Sequence, residues 1–202
     1  TVYNHFSSKE DLLSAISNRA LTILSELFHK ASLFNGNTRE RIYLVSFAYL
    51  IYAILHPALF ETMLCAKSPT ICGKASEQRI AEHETLELTM LSSLFGLIEE
   101  AIKAGDLTLP KHMDIQQTCF AHWSSSYGVI ALLSANEPSC KGREELRVEQ
   151  ELFNKNSLLL DGLQWLPLSQ TVDYKTKLAK SLSDVFSDEL QAIEDLGRTL
   201  NF

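Results

Sequence analysis

The sequence predicts an all-α protein, and three observations carry that reading. Apolar residues recur every three to four positions over long stretches, which is the period of a helix buried along one face. Leu, Ala, Glu and Lys together dominate over Val and Thr, and only 8 Gly and 5 Pro interrupt 202 residues, a composition that favours helix. Hydrophobic residues make up 46% of the chain, enough for one substantial core and too many for a disordered chain.

The elements follow in order. Leu12, Leu13, Ile16, Ile23, Leu24, Leu27 and Phe28 recur at helical spacing and predict one long helix from Ser8 to Ser32. Ser7 with Glu10, or Ser8 with Asp11, supplies a Ser-x-x-acid capping pattern that starts it just after Phe6. Asn35-Gly36-Asn37 is a turn, and Thr38 is expected to cap a second helix through Ile42, Val45, Tyr49, Tyr52 and Leu55. That helix closes at His56-Pro57, where Pro57 suits the first position of a short helix reaching about Ala66. The stretch Lys67 to Lys74 reads as a loop, and Ala75 to Ala104 as a long helix stopped by Gly105. After a turn containing Pro110, helices are expected from Asp114 to Ala135 and from Glu144 to Leu166, with Pro138 and Gly142 between them. A final helix, Tyr174 to Leu200, places Leu178, Leu182, Val185, Phe186, Leu190, Ile193 and Leu196 on one face.

Composition and motifs exclude several functions. Lys and Arg total 18 against 25 Asp and Glu, a net charge of -7, which argues against broad nucleic-acid affinity in the body of the chain. Cys65, Cys72, Cys119 and Cys140 show no Cys-x-x-Cys spacing, so buried reduced thiols of a cytoplasmic protein are expected rather than a zinc site. The longest apolar run, Phe47 to Leu55, is far short of a membrane span, and no signal-peptide pattern appears, so no membrane partner is expected. There is no Gly-x-Ser-x-Gly elbow and no phosphate-cradling glycine loop, and His83-Glu84-Thr85-Leu86-Glu87 lacks the second His of a zinc protease helix. His83, Glu87 and His122 fall short of a motif that would fix a metal. The expectation is no catalysis, no cofactor and no metal.

The most specific signal is Thr1-Val2-Tyr3-Asn4-His5-Phe6-Ser7-Ser8-Lys9-Glu10-Asp11-Leu12. Polar-tipped Thr1, Tyr3 and His5 interleave with apolar Val2 and Phe6, as in a helix end pressed on a core while facing phosphates. Lys9 falls in the first turn of the following helix, where a cation is unfavourable for the helix dipole unless an outside anion such as a DNA phosphate rewards it. This run resembles the end of the helix-turn-helix in the tetracycline-repressor (TetR) family, with its Thr-[Leu/Val]-Tyr-x-His-Phe-x-x-Lys-[Glu/Asp]-x-Leu pattern. His56-Pro57-Ala58-Leu59-Phe60 and Ala104-Gly105-Asp106-Leu107 are similar to landmarks of that family's body. Trp123-x-x-x-Tyr127-Gly128 is similar to the Trp-x-x-x-His-Gly element of one subset, with Tyr127 where the His stands.

The resemblance implies two domains: residues 1–32 as the end of the DNA-binding unit with its connecting helix, and residues 33–202 as a helical bundle for ligand binding and dimerisation. The chain begins with Thr, and the resemblance implies two further helices upstream that hold the rest of the reading head. It also implies a homodimeric transcriptional regulator, most often a repressor, released from operator DNA by a small effector. Thr1, Tyr3, His5 and Lys9 are then the expected DNA contacts.

Two sets of residues are candidates within the body. With successive residues about 100° apart on a helix, Ala121, Ser124, Ser125, Gly128, Ala131 and Ala135 form one small-residue stripe with Leu132 beside it. Ile115, Cys119, His122, Trp123, Ser126, Ile130 and Leu133 fall on the opposite side. A helix with two such faces lies between two partners, so the stripe is read as a dimer seam completed by the helix after Glu144. The ligand candidates are Tyr52, Phe60, Met63, His83, Glu87, Met90, His122, Trp123, Ser126 and Tyr127: a mainly apolar cavity with a few donors and one carboxylate, suited to a flat or elongated hydrophobic effector. The alternatives are an all-helical enzyme or carrier acting on a hydrophobic small molecule, or a helical interaction protein without DNA binding.

Overall fold

The computed structural model describes residues 6–66, 76–134 and 141–201, which hold eight α-helices and a short 3-10 turn at Lys141–Arg143. Thr1, Tyr3, His5 and Ala135 lie outside the described residues. Ser8 opens α1 (Lys9–Ser32): its side chain accepts the Asp11 amide, while the Asp11 carboxylate accepts the amide of Ser7. From Ala20 to Ala31 the inner face of α1 is buried.

The second helix, α2 (Thr38–Leu55), is capped by Asn37 rather than by Thr38 as expected. Asn37 and Glu40 exchange two bonds of 2.9 and 3.0 Å between side chain and amide, and Thr38 is the first helical residue. Thr38 is left to accept the indole N–H of Trp165 at 3.0 Å. Every residue of α2 from Ile42 to Ala53 is buried, because all seven other described helices pack on it.

Pro57 begins α3 (Pro57–Ala66) as expected. The long α4 (Glu77–Ala104) ends at Gly105, whose φ of 80° is the left-handed turn that glycine enters without Cβ strain. Asp114 and Gln117 cap α5 (Ile115–Ser134) reciprocally at 2.8 Å. α6 (Val148–Gly162) is shorter than the expected Glu144 to Leu166. Its end is wound closed by the Trp165 amide donating to the Leu160 carbonyl at 2.9 Å, which turns Trp165 inward to full burial.

The predicted final helix is two: α7 (Tyr174–Val185) and α8 (Ser187–Asp195), broken at Phe186. Phe186 is completely buried, and its backbone at φ -122°, ψ 33° leaves the helical region. Bending there lets both α7 and α8 pack on α2.

Arg39, on the first turn of α2, is an internal anchor. It has no exposed surface and donates at 2.6 Å both to the Trp165 carbonyl and to the Asp161 carboxylate, with its guanidinium 4.9 Å over the Tyr174 ring. Burial opposes ionisation of Asp161, but bonds from the Ser169 hydroxyl and amide and from Arg39 outweigh it and hold the carboxyl below its ordinary value.

Among the described residues no single helix is long and apolar enough to cross a membrane. The pair formed by α2 and the start of α3 is bent by 110°.

Candidate functional site

α1, α3, α4 and α5 surround a cavity of about 340 Å³, within the size range of small-molecule sites. α1 gives it Leu21, Leu24 and Phe28, and α3 gives Met63. Glu87, Met90, Leu91 and Phe95 face it from α4, spaced three, one and four residues apart along one helical stripe. Gln116, Cys119, Phe120 and Trp123 complete it from α5. The described lining thus carries a carboxylate and an amide among aliphatic, aromatic and sulfur groups. Burial raises the Cys119 thiol to about 11, so it is a wall of the cavity rather than a ready nucleophile.

Of the expected ligand contacts, Met63, Glu87, Met90 and Trp123 line this space. Tyr52 stands behind it, donating to the Met63 sulfur at 3.4 Å. Phe60 and Tyr127 belong to an aromatic wall running from the cavity into the core: Trp123 to Tyr127 at 6.1 Å between ring centroids, Tyr127 to Phe60 at 5.7 Å, Phe60 to Tyr49 at 5.6 Å and Tyr49 to Phe28 at 6.1 Å. Burial pushes the Tyr49 hydroxyl up to about 12 against a smaller opposing effect of its hydrogen bond with Trp123. Tyr49 therefore stays a neutral polar group within the wall.

Of the other expected ligand contacts, His83, His122 and Ser126 do not line the cavity. His83 faces α1, with its Nδ1 3.0 Å from the Asn18 side-chain oxygen. His122 and Ser126 turn to α2 and α6: Ser46 is 2.8 Å from His122 Nε2, accepts Ser126 at 3.2 Å and donates to Asn156 at 3.1 Å. Burial lowers His122 to about 4, so it is neutral at pH 7, with its buried Nδ1 unpartnered. This network ties three helices together.

On α5 the small-residue stripe lies open. Ala121, Ser124, Ser125, Gly128 and Ala131 are half-buried, and a Cβ added at Gly128 would meet nothing within 4 Å. Around it Phe120, Leu132 and, on α6, Leu158 are exposed at 62%, 60% and 67%. The opposite side of α5 (Cys119, His122, Ser126, Ile130) is buried in the chain's own core. Lys9 is exposed in the first turn of α1.

No protein-family model matches the chain, and no curated protein does. Solved structures do match. The TetR family transcriptional regulator PfmR of Thermus thermophilus superposes with a TM-score of 0.60 at 22% identity, over 80% of each chain. A bacterial regulatory protein of the TetR family from Rhodococcus RHA1 gives 0.61 at 18% identity, over 80% of this chain and 77% of that one. A protein of unknown function from Rhodococcus sp. RHA1 gives 0.63 at 18% identity, over 79% and 75%.

Proposed function

We propose, from the premise that the chain has the all-α fold of TetR family regulators, that it is a homodimeric, ligand-responsive DNA-binding regulator, most simply a repressor released by a small hydrophobic effector. In this reading residues 1–32 end the DNA-binding unit and residues 33–202 sense and pair. The observation that carries it is the course of α1. This one helix of 24 residues has Lys9 in its first turn, next to the DNA-reading motif, and Leu21, Leu24 and Phe28 against the cavity.

A ligand entering between α1, α4 and α5 favours one tilt of α1 over another. Tilting α1 changes the separation of the two heads, and half-sites one helical turn apart tolerate little change. The open stripe on α5, with Leu132 and Leu158 beside it, supports pairing of two subunits through α5 and α6. Tyr3, His5 and Lys9 clamp phosphates in this reading, and the protein acts by binding rather than catalysis.

Mobility-shift titration of the full-length protein on its own upstream DNA tests the proposal, with a retarded complex expected and its absence counting against it. In the same assay Lys9→Ala weakens binding to all sequences alike and reduces the log-log salt slope by about one. Loss confined to one sequence would contradict the phosphate role.

A further inference from the structure

The polar contacts between α1 and α4 gather at one end of the two helices. Asp11, 5% exposed, receives three donors: the Ser7 amide at 3.2 Å, the Ser76 hydroxyl at 3.1 Å and Arg79 Nε at 3.1 Å. The same guanidinium lies 5.3 Å over the ring of Phe6, ahead of the helix. Two turns along α1, Asn18 is also buried. Its amide nitrogen donates to the Arg79 carbonyl at 3.2 Å and to Glu82 at 2.9 Å, and its oxygen faces His83. One step further along the same two helices the cavity begins, with Leu21 on α1 and Glu87 on α4.

We propose that the first two turns of α4 form a polar clasp that fixes the orientation of the amino-terminal element on the body, with Asp11 and Arg79 as its positioning residues. The inference rests on the regulator reading and adds where its motion is gated. Apolar contacts slide with small loss, whereas a buried carboxylate and amide whose partners are displaced lose hydrogen bonds outright. The clasp is therefore made or broken, which turns a graded spreading of α1 from α4 into two head orientations. Arg79 is the link, because one side chain holds both the helix, at Asp11, and the chain entering it, at Phe6.

The test is a double-mutant cycle in the full-length protein with Asp11→Asn, Arg79→Met and the pair. Three quantities are read: affinity for the upstream DNA duplex, amide exchange at residues 7–14, and binding of 1-anilinonaphthalene-8-sulfonate to the cavity. Each single variant is expected to weaken DNA binding by about tenfold or more and to speed exchange at 7–14, with the pair no worse than the weaker single variant. Dye affinity stays within about twofold of wild type, because neither residue lines the cavity. Losses that multiply in the pair, or unchanged exchange at 7–14, overturn the clasp. Non-additive exchange in a protein whose wild type binds no duplex keeps the clasp and overturns the regulator reading.

Discussion

Arg39→Met is expected to lower the unfolding free energy by about 3 kcal/mol and the melting temperature by roughly 10 °C. Methionine fills the aliphatic path of the arginine but supplies no donor, so the Trp165 carbonyl and the Asp161 carboxylate each lose a 2.6 Å partner. The ring of Tyr174 loses the cation stacked on it. Asp161 keeps its bonds from Ser169 and some access to water, which keeps the cost below that of a fully buried orphaned carboxylate. Chemical denaturation of the two proteins checks the figure, and a difference under about 0.5 kcal/mol would show that the anchor is dispensable. The same site gives a pH dependence. The folded carboxyl of Asp161 sits below its ordinary value of 3.8, so its contribution is complete above that value and disappears as pH falls through the lower, folded one. Asp161→Asn therefore flattens the acid limb of the stability curve below about pH 4 while already being less stable at pH 7.

In the proposed homodimer, Gly128→Glu is expected to leave the protein monomeric and to cut the proposed DNA affinity at least about a hundredfold. The subunit itself tolerates the change: a Cβ at 128 meets nothing within 4 Å, and glutamate is a better helix former than glycine. Across a two-fold seam the substitution sets two carboxylates near each other and holds the backbones apart. Sedimentation at micromolar concentration distinguishes the outcomes, with thermal melting as the check that the monomer is folded. A variant that still sediments as a dimer would remove the α5 stripe from the interface.

The helices were legible because burial on one face leaves a 3.6-residue imprint. What the imprint could not carry was anything decided between distant segments. Phe186 sits in register with Leu182 and Leu190, so the last helix reads as continuous, and only its full burial beside α2 accounts for the break. Arg39 in a first turn reads as a solvated cation, because Asp161 and Trp165 lie more than 120 residues away in sequence. At the cavity, Met63, Glu87, Met90 and Trp123 were identifiable from residue type and helix face. Leu24 and Phe28 read only as core and Leu21 falls outside the predicted apolar set, since periodicity does not separate a wall from a filled interior. His83 and His122 are polar groups on apolar helices, but each finds its partner away from the cavity, at Asn18 and at Ser46.

The enclosure of α2 on all flanks has an evolutionary consequence. A spine whose residues from Ile42 to Ala53 are all engaged constrains drift, because almost any change there perturbs several neighbours at once. Met90, Leu91 and Phe95 on α4, by contrast, face the cavity that the proposed function assigns to the effector. New specificities can arise by exchanging those three positions while the scaffold beneath stays untouched, so libraries randomised there should retain far more folded members than libraries randomised along α2.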